Sequence, residues 1–409
     1  MPVNAGDTAW ILVSSALVLL MTPGLALFYG GMARRKNLLS TIMMSFAMMC
    51  LIGLIWVLWG YSLGFGENVA GFIGSLNFLG LKGVGMDPSG TYATSIPHLA
   101  FMAFQGMFAI ITVALITGAV VERIKFSALL VFSAVWITIV YSPVCHWVWG
   151  DGGWLGGMGA LDFAGGAVVH INAGVSALAL VLLLGRRKGF PQRVMEANNI
   201  PMVTIGAGLL WFGWFGFNAG SSLAADGLAA NAFVTTNISA AAAGFTWMLL
   251  SWIHRRPSLL GTVTGAVAGL VAITPAAGFV TPMAAIPIGI GVSVISYYAV
   301  VLMKEKLGFD DSLDVFAVHG VGGIWGALAT GIFASASVGG VSGVIEGNWG
   351  QLGTQVISIL VVAAFAFVLT MIIGKVIDMT IGLRVRQEEE TIGLDISQHG
   401  ERAYGGLLR

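Results

Sequence analysis

Two histidines lie inside long, uncharged hydrophobic stretches, and their side chains are the ones in this chain best suited to proton chemistry. His170 falls in DFAGGAVVHINAG (162–174) and His319 in DVFAVHGVGG (314–323). An ionisable side chain at membrane depth is costly, so by default it faces a protein interior or an aqueous pathway and marks function. For either residue alone, a buried histidine hydrogen-bonded to a backbone carbonyl is an open alternative.

No other group of residues forms a known catalytic motif. The sequence contains no GxSxG, HExxH or phosphate-loop lysine. Its two cysteines, Cys50 and Cys145, lie within hydrophobic runs, so neither a disulfide framework nor a thiolate metal cluster is expected. Six carboxylates lie at the ends of these runs or between them: Asp7, Glu67, Asp87, Asp151, Asp226 and Glu346. We therefore expect no cofactor, no metal and no enzymatic activity; an intramembrane enzyme is the alternative class.

Composition indicates the kind of protein that positions the histidines. Of the 409 residues, 57% are hydrophobic and only 9% are charged, too few to cover a soluble surface. A spanning helix needs roughly 20 apolar residues. The uncharged runs are 8–33, 37–66, 88–121, 126–150, 163–185, 197–225, 227–253, 257–303, 315–345 and 347–374. Because the run 257–303 is broken near Pro275, Gly278 and Pro282, it holds two spans, and the sequence predicts an all-α polytopic membrane protein with eleven transmembrane helices.

Basic residues are unevenly distributed between the connections of these spans. All 19 lysines and arginines except Lys82 fall in alternate connections or after the last span. They include Arg34, Arg35, Lys36, Arg123, Lys125, Arg186, Arg187, Lys188, Arg193, Arg255, Arg256, Lys304, Lys306, Lys375, Arg384, Arg386, Arg402 and Arg409. Because short cytoplasmic loops collect such residues, we expect the C-terminus inside and the N-terminus outside, in the inner (cytoplasmic) membrane of the cell. This distribution argues against a nucleic-acid partner.

Each histidine lies in the last span of a group of five. Counting places His170 in the fifth span and His319 in the tenth. Because five is odd, a second five-helix unit must enter from the opposite side, as in inverted repeats whose sites lie near the bilayer midplane. The local match between the two segments is short, so the 5+5 repeat followed by a final helix is an expectation.

The same count sets the domain boundaries. Spans 1–5 occupy about 8–185, spans 6–10 about 197–345 and span 11 about 347–378. We therefore expect a transmembrane domain over residues 1–378 and a cytoplasmic tail over residues 379–409.

Aromatic residues recur beside small polar ones near the predicted outer ends of spans. These segments are FQGMF (104–108), WVW (147–149) and WFGWFGFNAGSS (211–222). An interfacial aromatic belt would account for any single tryptophan. The alternative is a cation site, because a small cation over the face of Trp or Phe gains roughly 0.5–2 kcal/mol, and a hydroxyl such as that of Ser221 could accept its N–H.

Eight segments, in order along the chain, carry a resemblance to a known family. They are PGLALFYGG (23–31), AFQGMFA (103–109), AVVERIKFSA (119–128), HWVWG (146–150), LDFAGGAVVHINAG (161–174), GWFGFNAGS (213–221), DVFAVHGVGG (314–323) and GLDISQHGERAYG (393–405). They resemble segments of the ammonium transporters of the Amt/Mep/Rh family. The pair Trp149 and Ser221 resembles the bacterial or archaeal Amt branch, since Rh proteins generally lack it.

The resemblance implies roles for residues at the outer end of a pore. Phe108, Trp149 and Ser221 look like the substrate-binding site that recruits ammonium. Phe104 and Phe217 look like the stacked rings that close the pore below it.

It also implies roles deeper in the molecule. His170 and His319 resemble the twin histidines that line the pore. Asp162 is expected to give structural and electrostatic support rather than direct contact with the ion, and Trp214 and Asn218 are expected to flank the gate.

The family likeness implies a function as well. The chain would form a homotrimer in the lipid bilayer, with one pore per subunit. It would recruit and deprotonate NH4+ and conduct NH3, with methylammonium as a further substrate. A PII-type signalling protein would bind the cytoplasmic face at the tail. The alternative is an ammonium sensor that signals to a cytoplasmic partner.

Overall fold

The computed structural model describes residues 2–192 and 195–404. In this part of the chain, eleven apolar helices are followed by two short helices of the tail. Their bounds are α1 Ala5–Met32, α2 Arg35–Phe65, α3 His98–Val120, α4 Phe126–Gly157, α5 Gly166–Leu184, α6 Ile200–Ser222, α7 Gly227–His254, α8 Leu259–Ile273, α9 Pro282–Lys306, α10 Phe316–Phe333, α11 Trp349–Thr380, α12 Gln387–Ile392 and α13 Leu394–His399. The all-helical prediction is confirmed for the described residues.

Ten of the apolar helices are long enough to cross a membrane, and α8 is shorter. With 15 residues, α8 extends about 22 Å at the α-helical rise, less than the roughly 30 Å of a bilayer core. The predicted break in the run 257–303 is confirmed, because α8 ends at Ile273 and α9 begins at Pro282. The chain is thus a multi-pass membrane protein, while the count of eleven spans stays a prediction.

The connection between α2 and α3 contains two short antiparallel strand pairs. β1 (Asn68–Val69) pairs with β2 (Ile73–Gly74), and β3 (Pro88–Ser89) pairs with β4 (Ala93–Pro97). These strands lie outside the long apolar helices and leave the helical class unchanged.

Helices α5 and α10 cross at very close range, which brings the two histidine-bearing segments together. A Cβ atom at Gly174 of α5 would lie 2.2 Å from the backbone nitrogen of Gly320 in α10. On the other side, a Cβ atom at Gly323 would lie 3.1 Å from the Cβ atom of His170. Since these positions admit only a hydrogen, the backbones approach as closely as small residues allow.

Each of these helices also begins with a wide, π-helical turn. The turn of α5 covers Gly166–Ile171 and contains His170, and that of α10 covers Phe316–Gly320 and contains His319. Single π-helical turns are rare and often accompany functional sites. The two histidines therefore occupy equivalent places in equivalent helices, as the equal rank of their spans predicts.

The connections after α1, α3, α5 and α9 meet on one face of the molecule around a buried ion-pair cluster. Arg187 contacts Glu122 at 3.0 Å and Asp310 at 2.7 Å, and Arg34 contacts Glu122 at 2.7 Å. Burial alone would raise the pKa of Glu122, but Arg187 and Arg34 outweigh it and hold that pKa below its ordinary value. Four of the connections predicted to share one side of the membrane, those after α1, α3, α5 and α9, thus meet on one face of the molecule; which side is cytoplasmic stays a prediction.

The tail folds back onto this same face. Asp395 Oδ1 accepts a hydrogen bond from the backbone N–H of Ser40 at 2.8 Å, at the start of α2. The backbone N–H of Leu394 donates to Asn37 Oδ1 at 2.8 Å. Three residues of the sequence predictions, Arg193, Gly405 and Arg409, lie outside the described residues.

Candidate functional site

A cavity of about 320 Å³ opens at the end of the molecule opposite the tail. Phe108 of α3, Trp149 of α4 and Ser221 of α6 all line it, together with Gln105 and Tyr92. The three residues expected to recruit the ion are therefore brought together from three separate helices. We call this cavity the vestibule.

Hydrogen bonds fix the orientation of two vestibule side chains. The indole N–H of Trp149 donates to the backbone carbonyl of Asp162 at 2.9 Å, and the indole ring meets Phe108 edge to face with centroids 5.8 Å apart. The hydroxyl of Ser221 donates to the carbonyl of Phe217 at 2.8 Å. Its oxygen lone pairs are thereby left to accept an N–H from a ligand.

Asp162 supports the start of α5 and does not line the vestibule. Its Oδ1 accepts from the backbone N–H groups of Gly165 and Gly166, and its Oδ2 accepts from those of Ala167 and Val168 at 2.9 and 3.1 Å. A carboxylate at a helix N-terminus satisfies donors that have no partner in the helix and interacts favourably with the helix dipole. This arrangement is the indirect support expected of the residue.

The stacked ring pair below the vestibule differs from the expected one. Phe108 and Phe217 stack with centroids 4.1 Å apart and planes 23° apart. Phe104 instead meets Phe108 edge to face at 4.9 Å. The expectation that Phe104 stacks on Phe217 is therefore replaced by a Phe108–Phe217 stack, because Phe104 and Phe108 lie one turn apart on the same face of α3.

The two histidines form a direct pair beyond these rings. Their Nδ1 atoms are 3.2 Å apart and their ring centroids 5.3 Å apart. Because a hydrogen bond between two neutral imidazoles needs one donor and one acceptor, one histidine carries its proton on Nδ1 and the other on Nε2. The pair therefore presents both a donor and an acceptor to a small neutral molecule.

Trp214 of α6 contacts the histidine pair, and Asn218 of the same helix contacts α7. The ring of Trp214 stacks on His170 at 5.5 Å, and its indole N–H donates to Thr274 Oγ1 at 2.8 Å. Asn218 Nδ2 donates to Thr236 Oγ1 at 2.9 Å. Both side chains lie one to three residues from Phe217 and tie this part of α6 to neighbouring elements; their role beside a gate stays a prediction.

A narrow lumen continues from the rings to the histidines. Its volume is about 10 Å³, room for about one water-sized molecule. Apart from His170, His319 and Trp214, the lining is apolar, with Met21, Leu25, Phe28, Ile111, Leu115, Val169, Leu210, Phe217 and Val267. Phe28 and His319 also line a second cavity of about 260 Å³ towards the tail, which we call the inner cavity.

Two residues were not singled out from the sequence as site residues, one lining the vestibule and one at the start of α10. Gln105 lines the vestibule, and its Oε1 has no hydrogen-bond partner in the described chain. Asp311 lies just before α10 and accepts from the backbone N–H of Phe316 at 2.7 Å. The sequence signal for Asp311 is its distance of eight residues from His319, which equals the distance from Asp162 to His170.

Comparisons with known proteins agree with this geometry. The Ammonium Transporter Family model matches residues 9–404. An ammonium transporter of Bacillus subtilis (strain 168) is 50% identical over 402 residues, 98% of this chain and 98% of that protein. The crystal structure of Candida albicans Mep2 has a TM-score of 0.90 at 40% identity, covering 98% of this chain and 91% of that chain. A structure of a sensor Amt protein has a TM-score of 0.90 at 31% identity, covering 96% and 98%.

The family resemblance of the sequence is thus confirmed over nearly its whole length. The matched family, the half-identical relative and the helical architecture all agree, and each match extends over nearly the whole chain. This chain belongs to the Ammonium Transporter Family.

Proposed function

We propose that the chain carries ammonium across the inner membrane by recruiting NH4+ in the vestibule, deprotonating it there and conducting NH3 through the lumen. The observation that carries the proposal is the contrast between the two spaces. The vestibule is open and walled by aromatic rings, whereas the lumen is narrow and apolar and is separated from it by the Phe108–Phe217 stack.

The vestibule offers what a small cation needs. A cation near the faces of Trp149 and Phe108 gains roughly 0.5–2 kcal/mol, more as it loses water. The Ser221 oxygen, with its proton committed to Phe217, accepts an N–H. Ammonium has N–H groups to donate, and potassium has none, so the hydroxyl contributes to selectivity.

The apolar lumen excludes ions that keep their charge. Moving an intact ion into a dry, apolar channel costs tens of kcal/mol by Born solvation, whereas a neutral molecule needs only hydrogen-bond partners. Ammonium, unlike potassium, becomes neutral when it releases a proton. Ammonia can then accept from one imidazole and donate to the other, because the histidine pair supplies both groups.

We further propose a homotrimer with one pore per subunit and a PII-type signalling protein as the partner at the tail face. Family membership supports the assembly, and the tail supports the partner. Helices α12 and α13 are docked against the start of α2 through Asp395 and Leu394, so a protein that binds the tail lies on the face of the molecule that carries the tail.

Purified protein in proteoliposomes tests the transport proposal. Uptake and electrical current are measured together for ammonium, methylammonium and potassium, with empty liposomes as the control. We expect uptake of ammonium and methylammonium and exclusion of potassium. Ammonium binding without any uptake above empty liposomes would contradict transport and favour the sensor, the role borne by one structural relative.

A further inference from the structure

Helix α11 carries two buried amides in its mostly apolar sequence. Gln351 and Gln355 lie four residues apart, on one face of the helix, and are 7% and 1% exposed. In helices that cross a membrane, glutamine side chains hydrogen-bond to neighbouring segments. Both of these amides bond to the backbone of the connection 158–165, which joins α4 to α5.

Gln355 uses every hydrogen-bonding group of its amide. Its Oε1 accepts from the backbone N–H of Leu161 at 2.8 Å, and its Nε2 donates to the carbonyl of the same residue at 2.8 Å. Nε2 also donates to the carbonyl of Ala327 in α10 at 3.2 Å, and Oε1 accepts from Gln351 Nε2 at 3.4 Å. Because an amide has two donor hydrogens and two acceptor lone pairs, these bonds fix the orientation of the side chain.

The amides of α11 determine where the connection 158–165 lies. The backbone N–H groups of Gly159 and Ala160 bond back to the end of α4. Gln351 Nε2 donates to the carbonyl of Gly159 at 2.9 Å, and the two bonds of Gln355 to the backbone follow two residues later. The connection is therefore held between α4 on one side and α10 and α11 on the other.

The residue after Leu161 supports the wall of the vestibule. The carbonyl of Asp162 accepts the indole N–H of Trp149 at 2.9 Å, and Trp149 lines the vestibule. Since a peptide unit is planar, the bond from Gln355 to the Leu161 carbonyl also fixes the nitrogen and Cα atoms of Asp162. Gln355 is thus linked to the indole ring through a short stretch of backbone.

We propose that Gln355 is a positioning residue of the vestibule, which holds the Trp149 indole in place through the Leu161–Asp162 peptide unit. The inference rests on the proposed function, because that function assigns Trp149 to the recruitment of ammonium. Gln355 acts through the backbone and not by contact with the ion. Gln351 supports it through its bonds to Gly159 and to the Gln355 amide.

Gln355→Met tests this role, because methionine has a similar length but lacks the amide donors and the amide oxygen. Ammonium current is measured against ammonium concentration in proteoliposomes of the full chain. The half-saturation concentration should rise about 2- to 10-fold, within the roughly 2- to 30-fold expected for loss of the Trp149 ring itself. The maximal current should change by less than about twofold, since the lumen is unaltered.

A double-mutant cycle with Trp149→Leu separates positioning from general support of the fold. In the Trp149→Leu background, Gln355→Met should change the half-saturation concentration by less than about 1.5-fold, because the ring that it positions is absent. A structural role alone predicts equal changes in both backgrounds. Asn198→Leu is the matched control: it removes an amide bonded to the carbonyls of Gly30 and Ala33 on the tail face and should leave the half-saturation concentration unchanged.

Three results for well-folded Gln355→Met would overturn the inference: an unaltered half-saturation concentration, an effect confined to the maximal current, or equal changes in both backgrounds. If Gln355→Met does not fold, Gln351→Met decides. Its half-saturation concentration should rise in the parent background and not in the Trp149→Leu background, and any other pattern would overturn the inference.

A parent protein that moves no ammonium would instead refute the proposed transport function. The same cycle is then measured on the dissociation constant for ammonium, by titration of the detergent-solubilised full chain. A weaker affinity in Gln355→Met that disappears in the Trp149→Leu background would still support the positioning role. Equal affinities in the parent and Gln355→Met, or no ammonium binding by the parent, would overturn it.

Discussion

The histidine pair lines the narrow lumen. His170 and His319 share one hydrogen bond through their Nδ1 atoms, and the surrounding lining is apolar. Such surroundings disfavour a charged imidazolium. The stack of Trp214 on His170 holds the ring in place. These contacts favour two neutral rings that offer hydrogen bonds to ammonia without a fixed charge for a cation.

Trp149→Leu removes the aromatic face of the vestibule and keeps an apolar side chain. We expect the apparent affinity for ammonium to weaken by about 2- to 30-fold, which corresponds to the roughly 0.5–2 kcal/mol of a cation–π contact. Ser221→Ala should lower the preference for ammonium over potassium. Concentration-dependent currents measure both. Trp349→Leu, at a tryptophan that is 70% exposed, is the control, and equal behaviour of the two Trp variants would refute the recruitment role.

Asp162→Asn should destabilise the start of α5. One oxygen would still accept from two N–H groups, but the NH2 group would point at the remaining donors, Ala167 and Val168. Leaving buried donors unpaired costs about 1–3 kcal/mol. We expect a lower unfolding temperature and, because α5 carries His170, a loss of transport. Unaltered stability together with full transport would contradict the capping role.

Whole elements, and not single side chains, decide which rings and charges meet. The family resemblance implies that Phe104 stacks on Phe217 and that Phe108 belongs to the recruitment site, whereas in the structure Phe108 stacks on Phe217. The sequence could not decide between the two rings, because Phe104 and Phe108 share one face of α3 and the rotation of α3 against α6 selects between them. The sequence predicts the break between α8 and α9 from Pro275, Gly278 and Pro282, but not that α8 is confined to the 15 residues Leu259–Ile273.

The sequence also does not predict how closely α5 and α10 cross. Equal rank of the two spans predicts that His170 and His319 lie at similar depth. Their direct contact depends on Gly174 and Gly323, where an added Cβ would collide with Gly320 or press on His170. Nothing in the hydrophobic pattern distinguishes these glycines from others, so the distance between the histidines could not be predicted.

Glu122→Gln tests the ion-pair cluster that joins the connections after α1, α3 and α5. Removing the charge leaves Arg187 and Arg34 without their shared partner in a buried site, which costs about 3–5 kcal/mol. Because the pKa of Glu122 is lowered in the folded protein, its contribution to the free energy of unfolding is complete above its ordinary pKa of about 4.3. That contribution is lost as the pH falls through the lowered pKa of the folded protein.

Thermal unfolding of detergent-solubilised protein across this acidic range measures the effect. The unfolding temperature of the parent should fall more steeply with decreasing pH than that of Glu122→Gln, which is already less stable at neutral pH. Glu67→Gln, at an exposed loop carboxylate, is the control for a change of one charge. Parallel curves for the parent and Glu122→Gln would contradict the role of the cluster.

At the scale of the whole molecule, the tail packs against the start of α2 on the face that carries the ion-pair cluster. Deleting residues 380–409 removes α12 and α13 and their contacts with the start of α2. We expect several-fold slower transport, weaker coupling between subunits and loss of inhibition by a PII-type protein. Uptake assays with and without that protein measure these effects; full transport and unaltered inhibition would count against the proposed role.

The vestibule, the ring pair, the lumen and the inner cavity form one route across the molecule. Phe108 and Phe217 link the first two spaces, and Phe28 and His319 link the last two. The central claim is that charge is removed before this route narrows, so that only ammonia occupies the lumen.

Potassium current through His170→Glu tests that claim most directly. A carboxylate in the lumen supplies a counter-charge that offsets part of the cost of an intact cation, so potassium current should appear while ammonium transport persists. His254→Glu, at an exposed histidine, is the matched control and should still exclude potassium. Well-folded His170→Glu protein that excludes potassium as strictly as the parent would contradict the account.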